Sequence, residues 1–233
     1  MVKISIILPT INEEQGIGPT LDAIPINHFD KKGWEYEMVI VDGDSSDKTQ
    51  AIAKKKGARV IVEKRKGYGR AYKTGMPQLT GDIVVTGDAD ATYPFDHIHD
   101  YIQQLLDEDL DYITTDRFAK LHHGSMSVTH YFGNFVLAWT LKILFLVNLR
   151  DSQSGMWIFK KEALKQIQAM ENFNNGMPFS EEIKIEMFRN KKIRSKEIPS
   201  MLRAREGQVK IQSFSDGIKN LKFLFKKRVN FYH

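Results

Sequence analysis

From Lys3 to about Asp107, short apolar runs rich in β-branched residues alternate with stretches of helical character. The run KISIIL, closed by Pro9, predicts a first strand. Helix-like composition follows over 13–24, and YEMVIVD (36–42) predicts a second strand. Ser46 or Asp47 is placed to cap the next helix, KTQAIAKKKG, which Gly57 ends. RVIVE predicts a third strand, GRAYKTGMPQL a helix broken near Pro77, and DIVVTGD a fourth strand. Residues 93–107 read as a helix entered at Pro94. Strands separated by helices predict an α/β fold with a parallel sheet covered on both faces.

The pattern loosens in the second half. The stretch VTHYFGNFVLAWTLKILFLVNL (128–149) is long enough to cross a bilayer. It carries His130, Asn134, Lys142 and Asn148, however, and a charge at mid-span is costly. A buried or interfacial helix is therefore expected. SGMWIFKK (154–161) and KIRSKEIP (192–199) read as strands with a helix or two between them. At the end, Phe214, Ile218, Leu221 and Phe225 are spaced by four, three and four, which predicts an amphipathic helix over 213–228. Its other face holds Lys219, Lys222, Lys226, Lys227 and Arg228.

At 233 residues, with 42% hydrophobic and 27% charged positions, the chain can bury a full core and is not disordered. It has no cysteine, so disulfides and cysteine-based metal sites or nucleophiles are excluded. The apolar start is too short for a secretory signal and lacks a cleavage site, which makes a cytoplasmic location the expectation. The formal net charge of +5 is concentrated near the C-terminus. Such a surface attracts anionic lipid or phosphorylated substrates. Neither an RNA-binding signature nor zinc-finger spacing is present, so no nucleic-acid partner is expected; the oligomeric state is not readable.

The chemistry begins at VVTGDADATYP (84–94), where a buried-looking strand ends in two carboxylates that repel each other. A polar turn alone would account for one such Asp-x-Asp. Asp42, however, also follows an apolar strand, so two strands deliver carboxylates to the same sheet edge, where α/β sheets bind ligands. Hard cations take oxygen ligands, commonly one or two carboxylates plus substrate phosphates. Asp88 and Asp90 can supply those carboxylates to Mg2+ or Mn2+, and the cation relieves their repulsion.

ILPTINEE, VDGDSSDKT, GDADATYP and DSQSGMWIF stand in that order over about residues 3–210. Together they resemble the family 2 inverting glycosyltransferases with the GT-A fold, and among those the polyprenyl-phosphate sugar synthases typified by dolichyl-phosphate mannose synthase. The resemblance implies a single domain, 1–233, with a nucleotide-sugar half (1–117) and an acceptor half (118–233). It implies a Rossmann-like, mostly parallel sheet flanked by helices, here with a C-terminal amphipathic helix. By the same resemblance, Pro9, Thr10, Asn12 and Glu13 line the nucleotide site, Asp42 contacts base or ribose, and Arg70 reaches the nucleotide. Gly43 stands where the family often has a second aspartate, and Asp44 follows it. Asp88 and Asp90 match the family's metal-binding pair, while Thr92 replaces a glutamine common in the mannose synthases. Arg117 is the implied clamp for an acceptor phosphate, joined by Arg203 and Arg205. Relatives that use hydroxyl acceptors place an acidic base near FSEE, which offers Glu181 and Glu182. A phosphate acceptor is already ionised and needs no base.

The implied activity is metal-dependent transfer of a sugar from a nucleoside-diphosphate sugar to a polyprenyl phosphate. The enzyme would be peripheral, on an anionic membrane surface at the cytoplasmic face. Two alternatives remain open from sequence: a sugar or small hydroxyl acceptor, and a nucleotide-sugar-binding module without catalysis.

Overall fold

The computed structural model describes residues 1–121, 128–207 and 213–230, with side chains omitted at 120–130, 208–216 and 230. Its strands and helices follow in the order β1 (Lys3–Thr10), α1 (Ile17–Asp22), α2 (Ile26–Lys32), β2 (Glu35–Asp42), α3 (Thr49–Lys55), β3 (Arg59–Val62), α4 (Tyr68–Gly75) and β4 (Ile83–Thr86). Then come α5 (Ile98–Asp107), β5 (Tyr112–Leu121), α6 (Val128–Phe145), β6 (Trp157–Lys160), α7 (Phe179–Arg189), β7 (Ser195–Leu202) and α8 (Ser213–Asn230). The sheet order is β3-β2-β1-β4-β6-β5-β7. β6 runs antiparallel to both neighbours, and every other pairing is parallel.

The continuous apolar runs of the central strands follow from burial on both faces. Ile4, Ile6 and Leu8 of β1 pack into one layer with Ile17, Phe29, Ile98 and Ile102 of the helices on that side. Ile7, Val39, Val41 and Val84 face the other way, onto Tyr72, Met76, Phe179 and Ile183. The third cluster joins α6 to α7 and α8 through Leu137, Leu141, Phe145, Ile185 and Leu224.

Two elements were not anticipated from sequence. Helix α2 is bracketed by Pro25 and by Gly33, whose φ of 65° supplies a left-handed C-cap. β5 begins with the β-branched YITT, but its alternation breaks at Asp116 and Arg117. There the pairing with β7 slips between Asp116 and Lys120, a bulge that takes Arg117 out of the ladder and re-aims it. Lys48 holds the N-cap position of α3 without a side-chain cap; Asp47 just before it accepts from the Thr49 amide at 2.9 Å, while Ser46 bonds Asn12.

The C-terminal helix also departs from expectation. Leu224, not the Ile218/Phe225 stripe, is its fully buried apolar residue; Leu221 packs against the α6–α7 cluster, whereas Ile218 and Phe225 are 40% and 54% exposed. The side chain of Phe214 lies outside the described residues. Lys227, expected among the surface lysines, is buried: its Nζ lies 2.9 Å from Glu182 and 3.1 Å from Glu186 of α7. Removing one partner of such a pair strands the other charges, which costs about 3–5 kcal/mol. Lys227→Met is therefore expected to lower unfolding free energy by about 3 kcal/mol in urea titrations. The exposed neighbour substitution Lys226→Met should change it by less than about 0.5 kcal/mol.

Candidate active site

The parallel strands end along one edge, and there the turn after β4 folds back tightly. Ala91 takes φ of 63°, a left-handed conformation unusual for alanine. Its amide donates to Thr20 Oγ1 at 2.9 Å. Thr92 donates to Asp90 Oδ1 from both its amide (3.1 Å) and its hydroxyl (2.6 Å). At the position where the mannose synthases often carry glutamine, Thr92 thus orients Asp90. A Cβ on Gly16 would lie 2.6 Å from Ala89 O and Asp90 Cα, so only glycine lets α1 approach the turn. Burial and the neighbouring Asp90 charge raise the Asp88 pKa to about 7.

Arg205 lies across this turn. Its Nη1 bonds Asp90 Oδ2, and its Nη2 bonds Glu13 Oε1 at 2.6 Å. The guanidinium expected on an acceptor phosphate is thus on the acidic turn itself. Arg203, expected beside it, pairs instead with Asp96 at 2.9 Å, away from the cavity wall. The backbone between them is laced to the turn by Arg203 N to Thr92 O and Glu206 N to Asp90 O, both 2.9 Å.

A cavity of about 840 Å³ opens along the edge. Pro9, Thr10, Glu13, Asp88, Asp90, Arg117 and Arg205 line it, bringing half of the anticipated residues together. Besides Arg203 and the two candidate bases, four others lie elsewhere. Asp42 is fully buried and accepts from Thr10 Oγ1, the Ser45 amide and hydroxyl, and Gln50 Nε2, so its carboxylate is spent on holding the first two loops. Asn12 is exposed and ties those loops through Ser45 and Ser46. Asp44 is exposed, with φ of 67° and Lys64 4.0 Å away. Arg70 is off the cavity wall. Arg65 and Lys66, which sequence reasoning did not single out, also line it, with Glu63. Arg65 hydrogen-bonds Glu63 and, with Thr74, holds its pKa down near 2. EKRKG carried that signal, a charge cluster just past a strand end.

Arg117 is fixed by Asp151, with Nε to Oδ2 at 2.6 Å and Nη2 to Oδ1 at 2.9 Å. Burial opposes the guanidinium charge, but the fully buried Asp151 outweighs it and raises the Arg117 pKa. Behind this pair Lys184 is fully buried, donating to Ser152 O at 2.7 Å and Ser154 O at 2.6 Å. Burial pulls its pKa down to about 7.

Neither candidate base reaches the cavity wall. Glu181 is sealed behind Gln153, whose Nε2 donates to it at 2.6 Å, and burial raises its pKa to about 8, so it holds its proton at neutral pH. Glu182 accepts from Lys227 and from the Asn174 amide at 2.7 Å, which makes it an anchor for α8. Sequence reasoning missed Gln153 and Asn220. Both line the cavity, and Asn220 Nδ2 donates to Gln153 Oε1 at 2.8 Å, docking α8 against the cavity floor. The cavity is also walled by Phe132, Val136 and Leu137 of α6 and by Ile218 and Leu221 of α8.

The donor set suits a hard cation. Asp88 and Asp90 offer carboxylate oxygens, and the Arg205 guanidinium already occupies a cation's place between Asp90 and Glu13. Among the described residues no group of three acidic or histidine side chains could hold an ion unaided. The remaining ligands would come from substrate phosphates and water, the usual habit of magnesium and manganese.

The profile of glycosyl transferase family 2 matches residues 5–168. The chain is 32% identical over 223 residues to the low-salt glycan biosynthesis hexosyltransferase Agl6 of Haloferax volcanii, covering 95% of this chain but only 52% of that protein. It is also 32% identical over 214 residues to the dolichyl-phosphate hexose transferase of the same organism, covering 92% of this chain and 89% of the relative. Among solved structures, glucosyl-3-phosphoglycerate synthase of Mycobacterium tuberculosis, in complex with Mn2+, UDP and phosphoglyceric acid, superposes with a TM-score of 0.75 at 20% identity. That match covers 97% of this chain and 78% of the other, and it shows the shared GT-A fold. The acidic turn, the sheet that carries it and these likenesses agree: the chain is a glycosyltransferase and belongs to glycosyl transferase family 2.

Proposed function

We propose that the enzyme transfers a hexose from a nucleoside-diphosphate sugar to a polyprenyl phosphate of the dolichyl type, at an anionic membrane surface on the cytoplasmic side, with Mg2+ or Mn2+. The observation that carries this reading is the cavity's mixed wall: the acidic turn, Arg117 and apolar residues of α6 and α8 all line one cavity. Donor contacts are assigned to residues before 117, and acceptor contacts to Arg117 and the described residues after it.

Asp88 and Asp90 hold the cation, which supplies charge neutralisation for the departing diphosphate. Glu13 and the loop at Pro9 and Thr10 border the donor. Arg117, pre-aligned by Asp151, holds the acceptor phosphate so that one oxygen faces the anomeric carbon opposite the diphosphate. The new carbon–oxygen bond forms as the old one breaks toward the diphosphate, inverting the anomeric centre. Among the described residues the carboxylates on the wall are Glu13, Glu63, Asp88 and Asp90, and neither glutamate of FSEE joins them. This favours an ionised phosphate over a hydroxyl acceptor.

The membrane contact is assigned chiefly to α6. Phe132, Phe135, Trp139, Ile143 and Leu146, at steps of three, four, four and three, are all at least half exposed. Phe225 and Val229 of α8 are exposed as well, as are Lys142, Lys222 and Lys226, with Lys142 Nζ 5.5 Å from the Trp139 ring centre. No helix is long and apolar enough to cross a membrane among the described residues. An amphipathic surface of this kind suits the headgroup plane.

The direct test incubates the protein with a panel of nucleotide sugars, a short-chain polyprenyl phosphate and Mg2+ or Mn2+, and follows lipid-linked sugar. One donor should give a lipid product one hexose heavier; release of nucleotide with no lipid product sinks the reading. Asp90→Asn should cut transfer by about a thousandfold, because it removes the charge that holds the cation. Near-normal turnover would remove Asp90 from that role. Glu181→Gln should keep activity within about tenfold, whereas a loss in the about 10²–10⁴-fold range of a positioned base, with the fold intact, would reinstate a hydroxyl acceptor. In flotation assays the protein should bind anionic liposomes, less so as salt rises. Trp139→Ser combined with Ile143→Ser should abolish that binding without altering the circular dichroism spectrum, and unchanged flotation would place the contact elsewhere.

A further inference from the structure

We propose that Arg205 is a built-in competitor for the divalent cation, and that cation binding releases the strap that carries it. The inference rests on the proposed cation dependence but not on the identity of the sugar or the acceptor. Both oxygens of Asp90 are engaged. Oδ1 accepts two bonds from Thr92, two residues along the same turn. Oδ2 is held by Arg205, which reaches it from 115 residues away. A cation binding Asp90 must displace one of these partners. The Thr92 bonds are local and shape the turn, so the guanidinium is the exchangeable group.

Charge makes the exchange favourable. Arg117 is matched by Asp151 and Arg65 by Glu63, which leaves Asp88, Asp90 and Glu13 on the cavity wall with Arg205 and Lys66. A doubly charged ion meets the paired carboxylates of the turn better than one guanidinium does. Once displaced, Arg205 remains on the cavity wall as a fork-shaped donor suited to phosphate oxygens. The exchange also has a mechanical consequence. Residues 203–207 are tied to the turn by the Arg203 and Glu206 amides and by the Arg203–Asp96 pair. Releasing Arg205 loosens the strap at Glu206, whose amide donates to Asp90 O, while Arg203 still anchors it at Asp96.

Mn2+ binding is measured by the electron paramagnetic resonance signal of the free ion, with UDP at one fixed concentration, a protein-free UDP blank subtracted, and no lipid present. Arg205→Gln should bind Mn2+ about tenfold more tightly than wild type, the worth of one charged hydrogen bond no longer in competition. Arg203→Gln removes the same charge two residues away and should stay within about twofold of wild type. Equal gains in both variants would reduce the effect to a general field and overturn the proposal. So would no gain in Arg205→Gln, or no Mn2+ binding by any of the three proteins. A second readout needs no variant: saturating Mn2+ should speed hydrogen exchange in the peptide spanning 203–207 of the wild-type chain, and unchanged exchange there contradicts the release of the strap. Competition without any sugar transfer to polyprenyl phosphate would leave this inference standing and remove the acceptor assignment alone.

Discussion

Two like charges held at the end of one strand dominate this molecule. Asp88 and Asp90 are fixed by a turn that Ala91 enters with positive φ, and burial sharpens their repulsion. The surroundings compensate for it. Arg205 reaches Asp90 from the far end of the chain, Thr92 holds the other oxygen of the same carboxylate, and Gly16 lets a helix close under the turn. A group so arranged is stable only with positive charge beside it, which is why a cation and a diphosphate suit it.

The rest of the edge follows from the sheet. The reversed strand β6 brings its preceding loop, 151–156, to the carboxyl ends of the parallel strands. That loop supplies Asp151 to Arg117 and backbone carbonyls to Lys184. The bulge in β5 turns Arg117 toward the cavity. Helix α7 is buried around Glu181, Glu182 and Lys184, and these charges are spent internally: one protonated, one paired with Lys227, one on carbonyl oxygens. The FSEE stretch thereby builds the floor of the site and fastens α8 over it.

Much of this was legible in the sequence because it depends on local patterns. The central strands, the breaks at Pro77 and Gly57 and the acidic turn all announce themselves through apolar runs and turn residues within a few positions, whereas Arg117 was named only through the family resemblance. What stayed hidden depends on distant partners. Asp42 looks like a ligand at a strand end until Ser45, Gln50 and Thr10 are seen to consume its oxygens. Glu181 and Glu182 look like bases until Gln153 and Lys227 cover them. Arg205 reads as an acceptor contact, yet its partners lie 115 and 192 residues away. Likewise a helical wheel of α8 cannot show that Leu224 and Lys227 turn inward, because the direction is set by α6 and α7.

The account's central claim is that the acceptor arrives already ionised, so the site needs a phosphate clamp and no base. The most direct measurement compares a polyprenyl phosphate with the polyprenol of the same chain length, under one donor and one metal concentration. Turnover is expected with the phosphate alone. Comparable rates with the alcohol would contradict the account, because a hydroxyl acceptor requires a base that neither Glu181 nor Glu182 is placed to provide.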